Sequence, residues 1–212
     1  MKRGHHNDDP AGKETDYATG YADTFGKWVQ RYGYFEARMK LPRAPNMFLA
    51  FWMVPDRGLK AGPGLKRTDT GAGGMEMDIM ETLSIWGIHR HDFGAHWDGY
   101  DKSHKSIGMY EAYAQADAEG FITVGMLWTP GLLVMYDNGR EAARWESPRI
   151  SNVPSYFILD HVTGGWETEG IDYTQLPADF VIDYVRAWQR KDLASDADGP
   201  KPNRGTPAAP TQ

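Results

Sequence analysis

Apolar and polar residues alternate along much of this chain. Over residues 33–41, Phe35, Ala37, Met39 and Leu41 fall on one side of an extended backbone, with Tyr34, Glu36, Arg38 and Lys40 on the other. That is the pattern of a strand with one buried face. Pro42 closes it. Residues 48–54 are apolar throughout, which predicts a strand covered on both faces, or one that turns Trp52 toward a ligand groove. Residues 121–128 and 132–136 predict two more strands. Asp137-Asn138-Gly139 supplies a hairpin turn, because Asn and Gly tolerate positive φ, and residues 141–145 return from it. Residues 155–162 and 180–189 complete the set, and only residues 109–118 read as a short helix. Short strands joined by Gly- and Pro-rich turns predict an all-β antiparallel sandwich.

Two segments break the alternation. Residues 58–74 hold six glycines and little apolar content, which predicts a mobile loop leading into the strand that follows. Residues 191–212 hold four prolines, no aromatic and one Leu, which predicts a disordered tail. The start, residues 1–16, lacks the apolar stretch of a signal peptide and is expected to be a poorly ordered extension, leaving residues 17–190 as the folded domain.

Composition narrows the partners. A chain of 212 residues that is 41% hydrophobic suits one sizeable core. With 23 Lys+Arg against 29 Asp+Glu and no run of like charge, neither nucleic acid nor a membrane surface is an expected partner. No apolar segment approaches the roughly 18 residues of a membrane span. The absence of cysteine excludes disulfides and thiolate zinc sites. Aromatic residues make up 13% of the chain, enough to serve both a β-sandwich core and a cleft where rings stack on sugars.

The candidate chemistry lies in Gly74-Met-Glu-Met-Asp-Ile-Met-Glu81, where Glu76, Asp78 and Glu81 interrupt Met75, Met77, Ile79, Met80 and Leu83. Acids rarely enter a buried strand without a job. Glu76 and Asp78 share a parity that Glu81 breaks, so a regular strand would turn Glu81 away. A β-bulge at Ile79-Met80 would return all three to one face. Retaining glycoside hydrolysis needs two carboxyls about 5 to 5.5 Å apart, one a nucleophile and one an acid/base, and crowding separates their pKa values. A strand whose acids simply face water gives the same pattern, which alone is weak.

The wider chain resembles glycoside hydrolase family 16, the laminarinases, agarases, porphyranases and carrageenases. Glu76-Met-Asp-Ile-Met-Glu81 is close to that family's catalytic strand. The similarity extends to Arg31-Tyr-Gly-Tyr-Phe-Glu-Ala-Arg-Met-Lys-Leu-Pro42, Ala50-Phe-Trp-Met-Val-Pro55, Trp128-Thr-Pro130, Tyr136-Asp-Asn-Gly139, Val162-Thr-Gly-Gly-Trp166 and Asp183-Tyr-Val-Arg186. The resemblance implies a two-sheet jelly roll with a concave glycan-binding cleft. Glu76 would be the nucleophile, Asp78 its helper and Glu81 the acid/base. Trp52, His96, Trp97 and Trp166 would line the cleft. It also implies no required cofactor, a structural calcium held near Gly33 and Asp183, and an extracellular or periplasmic location.

Tryptophan-proline pairs common in laminarinases are replaced by Asn46-Met-Phe-Leu49 and Gly71-Ala-Gly-Gly74, while His89, Arg90, His91, His104 and Lys105 offer cations that suit a sulfated galactan. The expected substrate is therefore a polysaccharide, an algal galactan ahead of a β-1,3-glucan. Strands that the family carries before the counterpart of Tyr17 are expected to be missing. That leaves two other readings open: a glycan-binding jelly roll without turnover, and an interaction module that dimerises through an exposed sheet edge.

Overall fold

The computed structural model describes residues 1–6, 15–163, 170–195 and 198–200. In chain order its strands are β1 (Lys2–His6), β2 (Thr15–Ala18), β3 (Gly20–Asp23), β4 (Trp28–Val29), β5 (Gly33–Lys40), β6 (Phe48–Pro55), β7 (Glu76–Leu83) and β8 (Arg90–Trp97). There follow β9 (Lys105–Tyr113), β10 (Ile122–Thr129), β11 (Leu132–Asp137), β12 (Arg140–Glu146), β13 (Ser155–Val162), β14 (Val181–Trp188) and β15 (Gly199–Pro200). Two antiparallel sheets dominate, a six-stranded one ordered β3-β13-β6-β7-β8-β9 and a five-stranded one ordered β12-β11-β10-β5-β14. This is the all-β antiparallel sandwich that the alternation predicts, in the jelly-roll form that the family resemblance implies.

The core lies between the sheets. Phe35, Ala37 and Met39 of β5 are fully buried, as their parity requires, and meet Phe51 and Met53 of β6, Met77, Ile79 and Met80 of β7, and Phe93 of β8. Methionine suits this seam because its unbranched thioether fills gaps between stiffer aromatic neighbours. Trp128, also fully buried, donates its indole N–H to Ser151 O at 2.8 Å, so its one polar atom is satisfied.

Three expectations differ from the structure. Residues 109–118 form no helix: Lys105–Tyr113 is an edge strand paired with β8. Ala, Glu and Met favour helix, but pairing along β8 overrides local preference. A register shift between His91 and Phe93 also hides the alternation. At the start, Lys2–His6 forms β1, paired with β2, and Met1 is buried among Ala44, Met47, Leu49 and Ala178, while residues 7–14 lie outside the described residues. Past residue 190, Asp198 accepts hydrogen bonds from Arg31 N at 2.7 Å and Gln189 Nε2 at 2.8 Å, and β15 pairs with β4. The chain there folds back onto the sandwich; residues 201–212 lie outside the described residues.

The glycine-rich loop forms no strand, and its final turn is fastened. Arg149 Nη2 donates to Thr70 O at 3.1 Å and Gly74 O at 2.8 Å, and Arg57 holds Asp69 O and Gly71 O. These bonds aim the chain into β7.

Candidate active site

The bulge in β7 is present. Asp78 lies opposite Gly94 and Glu81 opposite Asp92, so two residues of β7 face one of β8. On the other side Trp52 pairs with Asp78 and Phe51 with Met80, which leaves Ile79 as the inserted residue. Ile79 and Met80 both sink fully into the core. Glu76, Asp78 and Glu81 consequently share the face of the six-stranded sheet turned away from the core. A regular strand would have buried Glu81 against methionines, at the cost of an uncompensated charge.

The register of β8 completes the cluster by setting His96 opposite Glu76. His96 Nε2 lies 3.3 Å from Asp78 Oδ2, and the donor atoms of Glu76, Asp78 and His96 all fall within 4.8 Å of one another. Such close spacing suits carboxyls and an imidazole that share protons. Gly94, between His96 and Asp92, leaves room for this. A Cβ there would stand 3.0 Å from Asp78 Oδ2 and 3.2 Å from His96 Nε2. Asp78 is almost fully buried, and its Oδ2 accepts no hydrogen bond.

Burial sets the protonation of these groups. It pushes Glu81 up to about 9, helped by the charges of Asp78 and Glu76. Asp78 rises well above the usual carboxylate range, from burial first and Glu76 second. Glu76 is also raised by burial, but a hydrogen bond from Tyr100 and the charges of His96 and His104 oppose the rise. One carboxyl is thereby held protonated while another, in the same cluster, is drawn toward its ionised form.

Other expected site residues are distributed unevenly. Trp52, beside Asp78 on the same face, donates its indole N–H to Asp160 Oδ2 at 3.3 Å. Trp97 follows His96 by one residue and so turns toward the core, with Arg149 5.5 Å from its ring centroid. Trp166 lies outside the described residues. Arg90 falls on the acid-bearing face by alternation from Asp92, stacked on Trp86 at 4.3 Å with Glu111 at 3.6 Å.

Three of the expected cations are engaged elsewhere. His91 is fully buried and reaches across to Asp137 Oδ1 at 2.9 Å. Lys105 pairs with Asp98 at 3.1 Å. His89 holds the backbone of Ala114 and Ala116.

The calcium expectation does not fit these residues. Asp183 bonds Arg38 at 2.8 Å, whereas Gly33 is five residues away along β5, roughly 16 Å at strand rise. Calcium ligands sit about 2.3 to 2.6 Å from the ion, so the two cannot share one. The requirement at Gly33 is conformational and steric: φ is +139°, and a Cβ there would collide with Trp188 O and Gln30 Nε2.

Three residues that the sequence did not single out, Asp92, Asp160 and Tyr100, belong to this face or its rim, together with His104, which was expected there as a cation. Asp92 and Asp160 are buried carboxyls, each with one unpartnered oxygen and each raised to about 6, chiefly by burial. Asp92 shares the parity of Gly94 and His96, a signal that strand alternation carries. Tyr100 and His104 come from the loop between β8 and β9, which no periodicity marks.

Fold and cluster together define a jelly-roll sandwich with a bulged, carboxylate-bearing strand at the middle of one sheet. The chain is 27% identical over 179 residues to the endo-1,3-1,4-beta-glycanase ExsH of Rhizobium meliloti, a match covering 82% of this chain and 34% of that protein. It is 25% identical over 190 residues to the keratan-sulfate endo-1,4-beta-galactosidase of Sphingobacterium multivorum, covering 84% of this chain and 42% of that protein. A solved structure of SCLam, a non-specific endo-beta-1,3(4)-glucanase from family GH16, superimposes with a TM-score of 0.64 at 26% identity, over 82% of this chain and 64% of that one. No family model matches. The chain thus spans about a third of the length of the first of these curated relatives. These similarities bear out the resemblance to glycoside hydrolase family 16 that the motifs carry.

Proposed function

We propose that this chain carries the catalytic domain of a retaining endo-β-glycanase acting on a 1,3- or mixed 1,3-1,4-linked β-glucan. The observation that carries the proposal is the bulge at Ile79, which puts Glu76, Asp78 and Glu81 on one face beside His96. In the first step the Glu76 carboxylate attacks the anomeric carbon while Glu81 gives its proton to the departing glycosidic oxygen. The C–O bond to the leaving sugar breaks and a glycosyl ester forms on Glu76. In the second step Glu81, now ionised, takes a proton from water, whose oxygen attacks the same carbon and frees Glu76. Asp78, kept neutral by burial, can donate a hydrogen bond to its carboxylate neighbour without adding charge.

The charge arrangement supports a neutral glucan over the sulfated galactan that the cations suggested. Glu76, Asp78, Glu81, Asp92 and Asp160 share the exposed face of the six-stranded sheet, and of the expected cations only Arg90 and His104 join them, His104 already bonded to His96. A sulfate placed among those acids would meet like charge, which is costly where water is excluded. The similarity to a keratan-sulfate galactosidase keeps sulfated galactan as the second reading. On the family resemblance, we place the reaction in an extracellular or periplasmic setting.

A panel of laminarin, lichenan, agarose, porphyran and carrageenans, assayed for new reducing ends, tests the proposal. Oligosaccharide ladders from laminarin or lichenan, with early products in the β-configuration by NMR, are expected. Inverted products would end the double-displacement reading. Cleavage confined to a sulfated galactan, weakening as salt rises, would replace the glucan assignment.

A further inference from the structure

Resting on that reading, we propose that Tyr100 is a positioning residue for the nucleophile, its hydroxyl fixing Glu76 Oε2 so that Oε1 is presented, ionised, for attack. The Tyr100 hydroxyl donates to Glu76 Oε2 at 2.5 Å. Among the described residues no other side chain hydrogen-bonds the Glu76 carboxyl. The phenol comes from the β8–β9 connection, and its arrival there is built rather than incidental. Asp98 and Gly99 adopt φ of 60° and 84° to turn the chain. Asp98 is then held by Lys105 Nζ at 3.1 Å and Arg149 Nη2 at 3.3 Å. Gly99 N donates to Thr70 Oγ1 at 3.2 Å, and His104 N and Ser103 N close the loop on Asp101.

The rings of Tyr100, His104 and His96 form a stack. His96 and His104 lie 5.1 Å apart at 14°, and Tyr100 and His104 lie 6.0 Å apart at 29°. The same stack aligns His104 Nε2 with His96 Nδ1 at 2.9 Å. One loop therefore contributes both a donor to the nucleophile and a bracket for the histidine beside Asp78.

The groups facing Glu76 are Asp78 and Glu81 from β7, His96 from β8, and Tyr100 and His104 from the loop; Asp69 of the glycine-rich loop acts on Tyr100. Burial disfavours a charged Glu76. Tyr100 and the histidines favour it. A hydrogen bond to an ionised group is worth more than one between neutral partners, so removing the hydroxyl should raise the pH at which Glu76 ionises.

The test is Tyr100→Phe in the otherwise intact chain, with Tyr110→Phe on the exposed edge strand as control. Carbon-13 NMR titration of glutamate carboxyls, with Glu76 assigned by loss of its signal in Glu76→Gln, should move the Glu76 midpoint up by about one pH unit. The acidic limb of kcat/KM should follow it, lowering turnover roughly tenfold below the limb and little above it. The basic limb, set by Glu81, should stay, and Tyr110→Phe should leave both limbs alone. An unmoved Glu76 midpoint in a folded Tyr100→Phe protein overturns the inference about Tyr100 whatever the activity. A parent protein inactive on every polymer would defeat the hydrolase reading instead, and the titration would still decide Tyr100.

Discussion

Two faces of the sandwich carry acids at alternating strand positions, and they treat them in opposite ways. On the outer face of the five-stranded sheet, Glu36 accepts hydrogen bonds from Tyr34 at 2.9 Å and Tyr184 at 2.8 Å. Beside it Arg38 bonds Asp117, Asp183 and Glu119. On the acid-bearing face of the six-stranded sheet, Asp78, Asp92 and Asp160 each keep a buried oxygen without a hydrogen bond. A satisfied network stabilises the fold; unsatisfied buried carboxyls cost it stability and hold protons at pH values where exposed acids have lost theirs. That contrast, more than the presence of acids, separates a structural face from one poised for acid/base chemistry.

The largest effect should come from neutralising the proposed nucleophile or acid. Glu76→Gln and Glu81→Gln are each expected to lower kcat by about a thousandfold or more, while denaturant midpoints stay level or rise because a strained carboxyl has gone. Near-parental turnover in either variant would put the active face elsewhere. Gly94→Ala comes next, since its Cβ would crowd both Asp78 Oδ2 and His96 Nε2. A fall in kcat of about tenfold with little change in KM is expected, from displacement of groups that act in the transition state.

The contrast also predicts a pH dependence of stability. Carboxyls whose folded pKa is raised bind a proton in the native state that the unfolded chain has lost, so stability falls as pH rises from the unfolded to the folded value. Glu81, raised to about 9, and Asp92 and Asp160, raised to about 6, should make the protein more stable at pH 5 than at pH 8. Thermal unfolding across that range should show it, and Glu81→Gln should flatten the slope by about 1 kcal/mol per pH unit. A stability that climbs from pH 5 to 8 would contradict the burial of these acids.

The smallest effect is expected on the outer face. Glu36→Gln keeps the shape but weakens two tyrosine bonds, so a loss of roughly 1 kcal/mol in urea unfolding should accompany unchanged kcat and KM. A change in kinetics without a change in stability would reverse the roles assigned to the two faces.

Much of this was legible from residue types in order. Alternation in residues 33–41 specifies which face of β5 is buried, because side chains on a strand alternate without exception until a bulge intervenes. The three acids among methionines in residues 75–81 locate the bulge as well as the site, since only an inserted residue brings Glu81 round to Glu76. Register and loop placement were not legible. Whether His91 meets substrate or Asp137 depends on which face of β8 turns inward, and whether residues 105–113 form a helix or an edge strand depends on a partner distant in sequence. Trp97 and His91 were misplaced for the same reason, that one residue of offset exchanges cleft for core. The position of Tyr100 over Glu76 is fixed by two positive-φ residues and by Arg149, fifty residues on, through an ion pair that local sequence does not encode. Sequence determined the fold class and the acids; the meeting of strands and loops decided which of those acids would be left unsatisfied.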